Sequence, residues 1–314
     1  MAKHLRAGTI LFDTNSPAGE SNQRLRTLKE LDAKLELAAT RDLGLVVTCE
    51  AVESRGQAMD QAETLDRPGE VLSRYCRFAE KNHCVVAGSI KLEEAGCVYN
   101  AIAFVDADGT PCGRYYKTHL TDGEIEKGFT PGNGAVVVET QAGRLGGAIC
   151  YDLNFIETAQ AYASQQLDVI CFPSMYHGGL MQGYWAYLCR SFFAASLPFL
   201  GGGILNPLGQ PVALNDCYNA VAVADLQLDR AIIHLDFNAE KFTHLRRKYG
   251  SQITLEIPAN VGSAILSAVD PAGPTAMDIV EAEQLLLLDD YFARSRSLNA
   301  QHRKIETRQE SKPA

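Results

Sequence analysis

Cys150 stands where an apolar run, residues 145–149, meets a segment of helical character from about 156 to 166. A thiol at such a junction projects from a rigid element. The amides that open a following helix can polarise it or bind a developing anion. A buried core cysteine would look the same in isolation, because free Cys is among the most buried residue types. Two other residues occupy comparable places. Glu50 closes the apolar run 43–49, and Lys117 closes the segment 113–116. A thiol carries little thiolate at neutral pH and needs a base or a nearby cation. Glu50 can take its proton. Lys117 can stabilise the thiolate and then a tetrahedral oxyanion, together with the Tyr151 amide. Histidine is the commoner partner for such a thiol. His83, His119 and His177 are the candidates, but none ends a strand as Glu50 does.

The elements that must position these groups are legible from hydrophobic periodicity. Residues 6–12 read as a strand. A helix capped by Ser21 or Asn22 runs to about Thr40, with Leu25, Leu28, Leu31 and Leu35 on one face. The continuous run 43–49 reads as a strand buried on both faces, whose end is a place for chemistry. A polar loop (53–69), an amphipathic helix through Val71, Leu72, Tyr75 and Phe78, and a strand (84–90) follow. Residues 98–105 and 113–117 form a hairpin about Asp108-Gly109. Residues 118–134 read as loop, then 135–139 and 143–150 as strands. The second half continues with a strand (168–173), a helix (182–197) and strands at 199–205, 211–214, 220–225 and 231–236. Its last element is a helix over 279–298, centred on Leu285–Leu288. These leucines have no evident place in the core, which suggests an oligomer contact. From about Asn299 the chain is polar and without regular structure. Tyr151, Asn154, Met175, Tyr176 and His177 follow strand ends next to the nucleophile and are candidates to line a substrate pocket.

The chain has 314 residues, 46% hydrophobic and 21% charged, enough for a sizeable core. Its net charge of −9 gives no electrostatic case for nucleic acid or an anionic membrane. Nine cysteines, an odd number with no Cys-x-x-Cys pair, suit reduced thiols better than disulfides or a zinc site. The start, Met-Ala-Lys-His-Leu-Arg, leads into a strand without a signal-peptide run, so a cytoplasmic protein is expected. Gly201-Gly202-Gly203 lacks the continuation of a phosphate loop, and Asp152-Leu153-Asn154 that of a calcium loop.

Several segments together resemble the nitrilase superfamily of carbon–nitrogen hydrolases. These are Glu50 after its apolar run, Tyr115-Tyr116-Lys117-Thr118-His119-Leu120, Phe129-Thr130-Pro131-Gly132, and Cys150-Tyr151-Asp152 before a helix. The resemblance covers residues 5–270 and implies an α/β fold, an α-β-β-α sandwich of two mixed sheets with helices outside. It implies a Glu50-Lys117-Cys150 triad and a second glutamate in the loop after the lysine. Glu126 matches that position, with Glu124 as its competitor. It further implies no metal or organic cofactor and a homodimer or larger homo-oligomer. Two positions depart from the pattern: Cys49 stands where a proline often precedes the glutamate, and Asn154 where an arginine often stands. Residues 1–275 are expected to form the hydrolase domain, and 276–314 a helix and tail available for oligomer contact.

The expected reaction is hydrolysis of a small amide or N-carbamoyl compound through a Cys150 thioester, releasing ammonia or an amine. Action on a nitrile uses the same triad and is one alternative. A non-catalytic binding protein on the same fold is another.

Overall fold

Val46 packs into one set of buried side chains, and its neighbours Leu45 and Val47 into another. That alternation, repeated across two sheets, organises residues 4–228 into four layers. The computed structural model describes residues 4–12, 22–198 and 200–303. In chain order the first part comprises β1 (His4–Ile10), α1 (Gln23–Ala39), β2 (Leu45–Val47), α2 (Ala51–Ser54), α3 (Leu72–Asn82), β3 (Val85–Glu94), β4 (Cys97–Val105) and β5 (Pro111–Tyr116). Then come α4 (Asp122–Glu126), β6 (Val137–Thr140), β7 (Gly143–Gly147), α5 (Ile156–Ala163), β8 (Val169–Pro173), α6 (Leu180–Cys189), β9 (Phe192–Ser196), β10 (Gly203–Leu205), β11 (Pro211–Leu214) and β12 (Val221–Gln227).

One sheet has the order β12-β1-β2-β3-β4-β5 and the other β11-β10-β9-β8-β7-β6. Both are mixed. β1, β2 and β3 run parallel, as do β7, β8 and β9, and the outer strands are antiparallel. Because side chains alternate along a strand, Ile102 and Phe104 of β4 face Leu145, Val169 and Ala194 of the other sheet. Ala101 and Ala103 turn outward with Leu28, Leu31, Tyr75 and Phe78 of α1 and α3. Ile170, Phe172 and Phe193 pack outward with Tyr162 of α5 and Trp185 of α6. This is the α-β-β-α sandwich expected from the sequence.

Two expected elements change character. Residues 182–197 divide at Arg190, whose φ of 53° closes α6 in the left-handed conformation, and Phe192–Ser196 continues as a strand. A short apolar run does not distinguish a buried strand from a helix by periodicity. The loop expected at 53–69 holds the end of α2 and a 3₁₀ turn (Met59–Gln61), and the loop expected at 118–134 contains α4. Asn22 precedes α1 without a side-chain cap bond, and Ser21 lies outside the described residues.

Residues 229–303 form a second compact unit, so the division falls at Leu228/Asp229 and not at the expected 275/276. Here β13 (Arg230–His234), α7 (Phe242–Tyr249), β14 (Ile253–Glu256), β15 (Ser263–Ala268), α8 (Ala276–Ala282) and α9 (Leu288–His302) follow in order. The sheet β13-β15-β14 closes a core of its own with Phe242, Leu245, Ile279 and Leu285. The single late helix expected at 279–298 is two. Thr275 caps α8 through a capping box, and Gln284 at φ 51° breaks the chain before α9. Leu285 and Leu288 are buried in this unit, contrary to the expectation that they lacked a core. α9 extends to His302, through the start of the expected polar tail; residues beyond 303 lie outside the described ones. Among the described residues no helix is long and apolar enough to cross a membrane.

Gly147 sits where the two sheets come closest to the chemistry. A Cβ there would lie 2.6 Å from Cγ of the fully buried Tyr115. Gly147→Ala is therefore expected to destabilise the protein by about 1–3 kcal/mol through overpacking, measured as a lowered urea midpoint. An unchanged midpoint would mean that Tyr115 is free to move.

Candidate active site

The carboxyl ends of β2, β7 and β8 converge. β2 leads through Cys49 to Glu50, which begins α2. Cys49 Sγ lies 3.4 Å from the carbonyl of Ser174, just beyond β8, so the two strand ends are tied together. The Met175 amide, next along, donates to Glu50 Oε2 at 2.6 Å. β5 leads directly to Lys117, whose ammonium is almost wholly buried. Its Nζ lies 3.2 Å from Glu50 Oε1, and 2.9 and 2.8 Å from the two oxygens of Glu124. Asn100 on β4 donates through Nδ2 to Glu50 Oε1 and to Glu124 Oε1, both at 2.9 Å.

Glu124, and not Glu126, is the second glutamate at the lysine. Glu126 is exposed at the end of α4. Glu124 occupies the third position of α4, where its carboxylate accepts from the amide and the hydroxyl of Thr121, each at 2.9 Å. Thr121-x-x-Glu124 is a capping box. That local motif anchors the glutamate, and it is readable in the sequence.

Cys150 follows β7 and opens a 3₁₀ turn, Cys150–Asn154, with φ of 49°. A non-glycine residue in this region is strained and persists only where its surroundings hold it. The hold comes from Asp152, which is completely buried. Its Oδ2 accepts from the Ile149 amide and the Tyr115 hydroxyl, both at 2.9 Å, and its Oδ1 from the His119 amide at 2.7 Å. One carboxylate thus ties the nucleophile turn to the strand and loop that carry Lys117. Trp185 Nε1 of α6 braces the far side of the turn through the Leu153 carbonyl at 3.2 Å.

Burial pushes the Cys150 thiol up to about 12, and the Glu50 carboxylate adds to the rise; Lys117 and the Met175 amide oppose it without prevailing. The resting thiol is therefore protonated at neutral pH, with the Glu50 carboxylate among the groups that hold it so. Lys117 behaves in the opposite way. Burial alone would lower its pKa, but Glu50, Cys150 and Glu124 together raise it. Burial likewise works against the Glu124 carboxylate, yet Lys117, Thr121 and Asn100 hold it below the usual range.

The expected pocket residues divide. Met175 contributes its amide to Glu50 and packs its side chain against the helix-facing core. Tyr151, Asn154 and Tyr176 are exposed, the Tyr176 hydroxyl 3.5 Å from Asn154 Oδ1. His177 is exposed too, its carbonyl accepting from Gln182. Of the candidate histidines, His119 stacks on Phe155 at 3.9 Å with Nδ1 3.5 Å from Asp152 Oδ1.

Behind this group lies a second buried pair. Lys91 Nζ is 3.6 Å from Glu53 Oε1 and donates to the Gln57 carbonyl at 2.8 Å. Burial pushes Glu53 up to about 7, helped by Glu50 and Glu124, while Lys91 and Lys117 resist. Lys91 is lowered by burial in spite of Glu53.

The family model for carbon-nitrogen hydrolases matches residues 17–231. The omega-amidase NIT2 of Homo sapiens is 28% identical over 189 residues, which is 52% of this chain and 68% of that relative. A citrullinase of Francisella tularensis is 27% identical over 165 residues, 49% of this chain and 57% of the relative. Among solved structures, Nit3 of Saccharomyces cerevisiae, described as a member of the nitrilase superfamily, matches with a TM-score of 0.61 at 20% identity, over 71% of this chain and 90% of that one. An amidase of Nesterenkonia sp. AN1, solved with the acetamide moiety of fluoroacetamide covalently added at its active-site cysteine, matches with a TM-score of 0.57 at 18% identity, over 78% and 96%. At these identities the structural matches speak for a common fold.

Glu53 generates a pH prediction. Its folded value of about 7 exceeds the ordinary glutamate value of 4.5. Between the two the folded protein binds more protons than the unfolded chain, so this group removes stability as pH rises from 4.5 to 7. Glu53→Gln is expected to lack that loss, giving a wild-type-minus-variant stability difference that declines by at most about 3 kcal/mol across the window. Urea midpoints at pH 5, 6 and 7 measure it; parallel pH profiles for the two proteins would refute it.

Proposed function

The chain belongs to the carbon–nitrogen hydrolase family, and we propose that it releases ammonia or an amine from a small amide or N-carbamoyl compound through a thioester on Cys150. The observation that carries this reading is the buried Lys117 ammonium held between Glu50 and Glu124 beside the thiol. The omega-amidases, the citrullinase and the amidase with a cysteine adduct support an amide or ureido carbonyl as the target in preference to a nitrile.

Cys150 Sγ attacks the carbonyl carbon while its proton passes to Glu50. A thiol held near 12 is not ionised in advance, so proton transfer accompanies attack. Negative charge moves to the carbonyl oxygen, where Lys117 and the Tyr151 amide are the assigned donors. The intermediate collapses, the C–N bond breaks, and the proton on Glu50 leaves with the nitrogen. Water then attacks the thioester with Glu50 as base, and the thiol is restored. Glu124 keeps Lys117 charged and aimed throughout. The exposed Tyr151, Asn154, Tyr176 and His177 are assigned to the substrate side of the nucleophile.

Homo-oligomeric assembly and a cytoplasmic location belong to the same reading. The exposed Leu180 and Tyr184 on α6 and nine unpaired cysteines support them. Light scattering tests the first.

Ammonia release from a panel of primary amides, N-carbamoyl amino acids, ureido acids and nitriles tests the activity. Release is expected to vanish in Cys150→Ala and to fall by about 10²–10³-fold or more in Lys117→Ala, the scale of losing an oxyanion donor. Glu124→Gln is expected to lose about 100-fold or more, whereas the exposed Glu126→Gln stays within about threefold, as surface substitutions do. Turnover that survives Cys150→Ala would sink the thioester reading, and equal losses at 124 and 126 would sink the assignment of the second glutamate.

A further inference from the structure

Asn100 touches every charged member of the site except the nucleophile. Its carbonyl accepts from the Lys117 amide at 2.9 Å, which sets the backbone from which the ammonium extends. Its side chain, fully buried, gives one hydrogen to Glu50 Oε1 and the other to Glu124 Oε1. Lys117 Nζ reaches the same two oxygens, at 3.2 and 2.9 Å. Four atoms therefore close a ring in which two donors, Asn100 Nδ2 and Lys117 Nζ, alternate with two acceptors.

The ring addresses a definite electrostatic difficulty. Two buried carboxylates repel one another, and a single ammonium neutralises one of them. The Asn100 amide offers a second donor to both without adding charge. A second cation there would bind Glu50 more tightly and make it a poorer base. The neutral amide leaves the pair of carboxylates one negative charge in excess, and so able to take up one proton. The orientation of the amide follows from its neighbours, since turning it over would aim its oxygen at both carboxylates. As it stands, Oδ1 is buried with no hydrogen-bond partner among the described residues, a cost the fold accepts in favour of the two donations.

We infer that Asn100 is a positioning residue for the hydrolytic reaction, holding Glu50 and Glu124 on Lys117 through its two side-chain donations, both of which go to carboxylate oxygens. This rests on the thioester reading above. It distinguishes Asn100 from a residue that merely completes β4.

The test is the pH dependence of kcat/KM, from pH 5 to 9, on the best amide of the panel, for wild type, Cys150→Ala, Asn100→Leu and Asn100→Ser. Leucine has similar bulk and no donor, and serine restores one. In Asn100→Leu, kcat is expected to fall about 100-fold with little change in KM, the scale of losing an aligned donor network at a reacting centre. The acid limb should move up by about one pH unit, because a carboxylate deprived of a donor is protonated more readily. Asn100→Ser is expected to fall between wild type and leucine on both measures, and it carries the test should the leucine variant fail to fold. Thermal melts identify the folded variants. An unmoved acid limb in a folded variant, whether or not kcat falls, overturns the inference and leaves Asn100 a structural residue. Hydrolysis that persists in Cys150→Ala overturns the thioester reading and this inference with it. Cys150-dependent hydrolysis with an unmoved limb overturns the inference alone.

Discussion

A lysine ammonium almost wholly removed from water is the constraint from which the rest of the larger unit can be understood. Burying such a charge is expensive unless it is paired and hydrogen-bonded on all sides. Lys117 meets that requirement with two carboxylates drawn from different parts of the chain: Glu50 at the exit of β2, and Glu124 in the first turn of α4. Neither is sufficient alone, and each needs its own support. The Met175 amide after β8 supports Glu50, and the Thr121 cap supports Glu124. The short central strand β2 and the one-turn helix α4 deliver oxygen atoms to one nitrogen, and the antiparallel hairpin β4–β5 leads into the residue that carries it.

The nucleophile is governed by a separate device. Cys150 lies on the second sheet, Lys117 on the first, and chemistry requires that they keep register. Contact between Gly147 and Tyr115 brings the sheets together, and Asp152 fastens them by accepting three hydrogen bonds. The two carboxylate systems have opposite characters. Asp152 accepts from neutral amides and a phenol and is purely an anchor. Glu50 and Glu124 share a cation and an amide. The strained turn at Cys150 is held by the first of these systems, through the Ile149 amide and the Tyr115 hydroxyl.

Much of this arrangement was legible in the sequence, for a physical reason. Glu50 and Cys150 each follow a buried run, where such a residue is conspicuous against its apolar neighbours, and Lys117 follows the half-buried strand β5 within the motif Tyr115–Leu120. The layered architecture was legible because buried runs such as 43–49 and 168–173 alternate with amphipathic helices, and the family resemblance implied the sandwich. Other features were obscured. The family resemblance pointed to Glu126, just before Lys127-Gly128-Phe129-Thr130-Pro131-Gly132, while the local capping chemistry that holds Glu124 went unread. Phe192–Ser196 is apolar throughout, so only the left-handed turn at Arg190 reveals a strand after a helix. The strand Ile253–Glu256 is short and half polar and gave no sign of the third sheet. Asn100 lies within an apolar strand, where a single amide is indistinguishable from a structural one until its two partners are located in space. Asp152 was weighed as part of a motif and of a calcium loop but not as an anchor, since nothing local shows that two of its donors come from residues 33 and 37 positions away along the chain.

The protonated resting state of Cys150 has a consequence for the life of the protein outside its own turnover. Peroxides and soft electrophiles react with thiolates far faster than with thiols. Under the proposed mechanism, a thiol that gives up its proton only as a carbonyl arrives offers such reagents little to attack between turnovers. The same burial that makes the sulfur sluggish therefore preserves it. Reactivity is released by the correct substrate rather than stored in the side chain, so the site combines a strong nucleophile in action with chemical endurance at rest.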